Sequence, residues 1–240
     1  MFRLPMTTML GSMFVQFKMC ADVNSGINVM MKSQSYWRFA TVGCTAVLAF
    51  AVLFGNIEAR DSGFTRLFNG HNLDGWDGDP QIWSVRDGMI VGSTEGHPLK
   101  HNEFLISKKK YANFVLRAEM KLRNHNSGIQ FRSEAMPEWI VRGYQADAGE
   151  NNYWGNLYEE RGRGTLVDGW AKGGKNAVKL KDWNEYEITC EGDHIQIKLN
   201  GTKTVDIHDS KSSNGIIAFQ VHMGPPMEVY LRNVEIDTLP

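Results

Sequence analysis

Cysteine is scarce in this chain. There are three in 240 residues, and Cys20 and Cys44 precede the part that reads as folded, which leaves Cys190 alone there. A disulfide framework is excluded. In EYEITCEG, Cys190 shares its parity with Tyr186 and Ile188, so it is expected in the core as a small hydrophobe and not as a nucleophile. A charge excess of either sign is also missing. With 26 basic and 27 acidic residues and no basic run longer than Lys108–Lys110, the chain has no electrostatic footprint for nucleic acid, and neutral partners are expected. Beyond residue 60 there is no amphipathic helical pattern of a dozen residues, no internal repeat, no low-complexity linker and no tight ligand motif such as His-x-x-x-His. Helical bundles and repeat arrays are thereby excluded.

One apolar run stands out, FATVGCTAVLAFAVLF from Phe39 to Phe54. It is preceded by Lys32 and Arg38, followed by Asn56, Glu58 and Ala59, and falls short of the roughly 20 apolar residues of a membrane span. That order predicts a secretory signal peptide cleaved near Ala59, with an uncleaved anchor as the alternative. Met30 and Met31 stand where such a peptide would begin. Cys44 lies too early in the run for a lipoprotein. Residues 1–60 are therefore read as N-terminal extension and signal peptide or anchor, and residues 61–240 as one domain. The domain is expected to be exported to the periplasm or the extracellular space, with membrane contact only through a retained N-terminal segment.

From Phe64 onward the chain reads as short strands rich in β-branched and aromatic residues. They are Ile82–Val85, Met89–Val91, Phe114–Leu122, Ile129–Ser133, Trp139–Ala146, Tyr186–Cys190, Ile195–Leu199, Thr204–Ile207, Ile216–Val221 and Val229–Ile236. Turn chemistry separates them at Arg86-Asp87-Gly88, Glu191-Gly192-Asp193 and Asn200-Gly201. This pattern predicts an all-β, jelly-roll β-sandwich.

Parity along these strands sorts side chains by face. Arg117 and Glu119, Gln130 and Arg132, Gln145 and Asp147, and Gln220 and His222 each alternate with apolar residues, so one sheet is expected to present all eight as a polar face. The densest stretch is RGYQADAGENNYWGNLYEERGRG, from Arg142 to Gly164. Its acids, amide, arginines and aromatics suit sugars, which offer hydroxyls to polar groups and C–H faces to rings. His222 differs from the other histidines because it ends an apolar strand ahead of the rigid Met223-Gly224-Pro225-Pro226.

FTRLFNGHNLDGW (Phe64–Trp76), IWSVRDGMIVG (Ile82–Gly92), NEFLISKKKYANFVLRAEMKL (Asn102–Leu122) and NSGIQFRS (Asn126–Ser133) resemble the 3-keto-disaccharide hydrolase family. RGYQAD, LYEERGRG, DWNEYEI, LNG and IAFQVHMG…VYLRNVEI continue the match in order, so it spans Phe64 to Ile236. The resemblance implies a concanavalin-like sandwich and exported proteins acting on glycosides oxidised at the sugar 3-position. A ketone at C3 acidifies the C2 proton. A base can then form an enolate that expels the C1 substituent, after which water adds back. Such a site needs a base, a group for the enolate oxygen and an acid for the leaving oxygen.

His222 is the first candidate for the base and Asp147 the second. Arg132 is the candidate for the oxyanion, and Glu159 or Glu160 for the acid or orienting group. Gln145, Asn126 and Arg163 are expected to hold hydroxyls, Trp154 or Tyr158 to stack on the ring, and Gln220 and Glu119 to complete substrate binding. A divalent metal held by Asp147, Glu119 and His222 is an alternative to Arg132. The competing readings are a non-catalytic carbohydrate-binding module and a glycosidase working through a carboxylate pair drawn from Asp147, Glu159 and Glu160.

Overall fold

The Asn200-Gly201 pair turns the chain as its residue types predict. Asn200 has φ 48° and Gly201 φ 79°, the positive values of a primed hairpin turn, and Leu199 faces Thr202 across it. Alternation in FVLRAEMKL is equally direct: Phe114, Leu116, Ala118, Met120 and Leu122 are all buried, with half-buried neighbours between them. The structure is a computed structural model, which describes residues 63–240. The expected signal segment, Phe39–Phe54 and the cleavage point near Ala59 lie outside the described residues.

The strands are β1 (Thr65–Arg66), β2 (Trp76–Asp77), β3 (Trp83–Arg86), β4 (Met89–Ser93), β5 (Glu103–Tyr111), β6 (Phe114–Leu122), β7 (Asn126–Met136) and β8 (Ile140–Gly149). They continue with β9 (Leu157–Glu160), β10 (Gly164–Val167), β11 (Asn184–Glu191), β12 (His194–Leu199), β13 (Thr202–His208), β14 (Gly215–Val221) and β15 (Glu228–Thr238). An eight-stranded sheet runs β13-β12-β11-β6-β15-β4-β3, with β1 on β15; a seven-stranded sheet runs β10-β9-β8-β7-β14-β5-β2. Consecutive strands β5, β6 and β7 alternate between the sheets, so the chain crosses over repeatedly. The result is an all-β sandwich of jelly-roll type, as the strand pattern and the resemblance both imply. Among the described residues the helical content is one π-helical turn, Trp170–Gly174, and the short helix Lys175–Ala177.

Apolar side chains from both sheets fill the space between them, with Trp154 stacked on Tyr186 at 6.0 Å between ring centroids and Trp76 on Phe219 at 5.1 Å. Cys190 is buried in this core, and burial pushes its thiol up to about 12, which agrees with the inert reading. A second, smaller core lies on the outer face of the seven-stranded sheet. There Phe104, Ile106, Val141, Ile216 and Ala218 pack together under Trp139. The β7–β8 hairpin folds back over the sheet to make it, and Phe104 N–H donates to the Trp139 carbonyl at 3.0 Å. β5 is therefore covered on both faces. Its run of buried residues, Phe104–Ser107, has no alternation, which is why periodicity passes over this strand.

Candidate functional site

Register assembles the site on the outer face of the seven-stranded sheet. Gln130 lies opposite Gln145 and Gln145 opposite Tyr158, while Gly128 lies opposite Asp147 and Gln130 opposite Ala218. Residues opposite one another across a ladder point to the same face, so Gln130, Gln145, Asp147, Tyr158, Glu160 and Gln220 share it. Together with Asn102, Asn126, Tyr153 and His222, most of them line a cleft of 210 Å³. Larger cavities exist elsewhere, including one of 620 Å³ on the outer face of the other sheet. The small cleft is the candidate because it combines a buried carboxyl with a buried polar atom lacking a partner.

The carboxyl belongs to Asp147, only 4% exposed. Its backbone is fixed on both sides: the N–H donates to Asn156 O at 3.1 Å, and the carbonyl accepts from Gly155 N–H at 3.2 Å and from the Tyr186 hydroxyl. The side chain ends a directed chain of hydrogen bonds. Ser133 Oγ donates to Gln130 Oε1 at 2.7 Å, Gln130 Nε2 to Gln145 Oε1 at 2.8 Å, and Gln145 Nε2 to Asp147 Oδ1 at 2.7 Å. Each amide has its oxygen and nitrogen assigned by this sequence of partners. Gly128 gives the room, because a Cβ there would meet Gln145 Cγ and Cδ at 2.6 Å. Burial pushes the Asp147 carboxyl up to about 7; the nearby charge of Glu160 adds to the rise, and the bond from Gln145 opposes it.

Glu160 accepts from Asn102 Nδ2 at 3.3 Å and from Gln220 Nε2 at 3.4 Å, closing the cleft from the opposite wall. Gln220 is 1% exposed, yet its Oε1 has no hydrogen-bond partner. A buried amide oxygen left unpaired costs stability, and at a cleft wall it is an acceptor waiting for a hydroxyl. Burial raises the Tyr158 hydroxyl above its ordinary value, and the charges of Glu160 and Asp147 add to it. At the mouth, His222 Nδ1 and His125 Nε2 both contact the Met223 carbonyl, at 2.6 and 3.0 Å, and the two rings meet edge-on at 4.9 Å. A carbonyl only accepts, so both of these nitrogens carry hydrogen. Neutral His222 therefore keeps Nε2 as its free base.

Five of the expected site residues lie elsewhere. Glu119 and its neighbour Arg117 are on β6, in the other sheet, where Glu119 binds Arg232 Nε at 2.7 Å and Asn233 Nδ2 at 2.6 Å. The donor set Asp147, Glu119 and His222 thus does not assemble. Among the described residues no group of three or more His, Cys, Asp and Glu side chains converges on a metal centre. Arg132 breaks parity at the bulge between Phe131 and Glu134, with φ 46°. Its guanidinium clamps backbone, donating to Ala112 O and Gly192 O at 2.7 Å each and to Asn113 Oδ1 at 3.1 Å.

Glu159 faces away from the cleft into an ion-pair group with Arg163 and Lys211, and Arg163 also binds Asp209 at 2.7 Å. Burial alone would raise the Glu159 carboxyl, but the two cations hold it below the usual carboxylate range. Arg163 is committed to this group, so it offers nothing to a sugar in the cleft. Trp154 is core, 2% exposed, and the tyrosine rings that do reach the cleft are the expected Tyr158 and the adjacent Tyr153, 42% exposed. Tyr153 and Asn102 were missed. Tyr153 lies in a turn, where parity has no meaning; Asn102 immediately precedes the unalternating β5.

Fold and site together define a jelly-roll sandwich with an acidic, amide-lined cleft on one face. Solved structures agree on the fold. A Parabacteroides distasonis protein provisionally described as a glycosyl hydrolase superposes with a TM-score of 0.55 at 24% identity, over 74% of this chain and 94% of that one. The carbohydrate-binding module CBM66 from Bacillus subtilis gives 0.53 at 17%, over 68% and 96%. A Bacillus subtilis protein of unknown function with a galectin-like fold gives 0.52 at 13%, over 69% and 90%. Comparison with curated proteins finds no match. The chain belongs to the 3-keto-alpha-glucoside-1,2-lyase-like domain family, whose model matches residues 63–237, as the ordered motifs imply.

Proposed function

We propose that the protein is an enzyme acting on 3-keto-glycosides, with Asp147 as the base. The observation that supports this most is a buried carboxyl with a pKa of about 7 at the floor of a polar cleft, a value suited to taking a proton near neutral pH. A module that only binds sugar gains nothing from burying a carboxylate at the expense of stability. In the proposed reaction, Asp147 removes the proton from C2 and the electron pair moves toward the C3 ketone as an enolate. The enolate collapses, the C1–O bond breaks, and the leaving oxygen takes the proton that Asp147 removed, handed on by His222 or Glu160. Water adds at C1 and C2 regains a proton, which completes a net hydrolysis. The amides of Asn126, Asn102 and Gln220 and the ring of Tyr153 are assigned to binding the keto-sugar. The chain is proposed to act after export, on the strength of the basic, apolar and small residues between Lys32 and Ala59.

The test is turnover of native and 3-keto-glycosides in deuterated water, followed by mass spectrometry. Deuterium should enter at C2 of the keto-sugar alone, and D147N should lower kcat by about a hundredfold or more. Turnover of unoxidised glycosides without deuterium uptake would instead support a carboxylate-pair glycosidase.

A further inference from the structure

A second cavity, of 470 Å³, adjoins the cleft on the same sheet. Glu160 lines both. Ser133, in the wall of the second cavity, is tied to Asp147 through the Gln130–Gln145 hydrogen bonds. The two spaces carry opposite charge. The cleft holds Asp147 and Glu160 and no lysine or arginine. In the adjoining cavity Arg142 is paired with Glu134 at 2.7 Å and Lys211 with Glu159. Lys110 and Arg161 also line it, are exposed, and have no carboxylate partner among the described residues. Such a local excess of positive charge is not background in a chain of net charge −1.

Resting on the keto-glycoside reading of the cleft, we infer that this cavity is the leaving-group subsite and that it takes an anionic substituent, a carboxylate or a phosphate, on the part of the glycoside expelled from C1. The arrangement separates tasks by charge. The acidic cleft repels an anion and accepts the neutral keto-sugar, while Lys110 and Arg161 draw the charged end the other way. That orients the C1–O bond across Glu160 and disfavours the reversed pose.

The inference is tested with phenyl, 4-carboxyphenyl and 4-phosphonophenyl glucosides, each as both anomers. Their unoxidised forms are measured for binding by calorimetry and their 3-keto forms for kcat/KM. The carboxylate or phosphonate compounds should exceed the phenyl compound about three- to tenfold in affinity and in kcat/KM, the range expected of two partly exposed ion pairs. Whichever anion shows the larger ratio names the source. The ratio should fall to one or below in K110E/R161E, and toward one in 1 M salt, where the Debye length is about 3 Å. Equal binding and turnover of charged and neutral compounds in the wild-type protein would overturn the anionic subsite and leave the keto-glycoside reading standing. Absence of keto-glycoside turnover would remove that reading, and the calorimetric ratio would still decide whether an anion is bound.

Discussion

Replacing Gln145 by leucine removes the only hydrogen bond among the described residues that favours ionised Asp147, while keeping the side chain close to its original volume. The Gln145 Nε2 to Asp147 Oδ1 bond is 2.7 Å long and buried, and it acts against the burial that raises the carboxyl to about 7. A hydrogen bond to a charged group contributes about 1.5–3 kcal/mol, which is about one to two pKa units at roughly 1.4 kcal/mol per unit. The carboxyl of Q145L should therefore titrate one to two units higher. At pH 7, where about half of wild-type Asp147 is ionised, the variant should keep roughly 1–10% in the carboxylate form. Its kcat/KM should be about five- to fiftyfold lower there. The loss should shrink as pH rises toward 9, because the base is still present and only harder to ionise. The assay is a pH profile of kcat/KM from pH 5 to 10 on a 3-keto-glycoside, with thermal unfolding to confirm the fold. An acid limb that stays in place or moves to lower pH would refute the role of Gln145. A loss of equal size at every pH would show that Gln145 binds substrate without tuning Asp147.

Two further outcomes follow from the same contacts. The folded-state value of Asp147, about 7, lies above the ordinary 3.8, so the folded chain binds the extra proton, and this contribution is fully present below 3.8 and lost as pH rises through 7. At pH 8, D147N should be the more stable protein, by at most about 4 kcal/mol, and at pH 3 the advantage should vanish; chemical denaturation at both values checks it. R132A removes a buried guanidinium and its three hydrogen bonds, to Ala112 O, Gly192 O and Asn113 Oδ1, with an expected loss of about 3–5 kcal/mol in urea unfolding and no shift in the acid limb of the pH profile.

Local chemistry was sufficient for the class of fold. Alternation in β6 and β12, and the Asn200-Gly201 turn between β12 and β13, follow from residue type and a period of two, and they needed no distant partner. The same parity correctly grouped Gln130, Gln145, Asp147, Gln220 and His222. Tertiary structure decided the rest because parity says which way a side chain points relative to its own strand and nothing about which sheet the strand joins. Glu119 and Gln145 have equivalent patterns and finish on different sheets, since β6 pairs with β11 and β15 and β8 with β7 and β9. The bulge at Arg132 reverses its direction within one residue, and the turn before β9 sends Trp154 inward and Tyr153 outward. The elevated pKa of Asp147 has no signature in the sequence at all. It arises from burial and from Glu160, brought across by the pairing of β8 with β9, and only folding creates that environment.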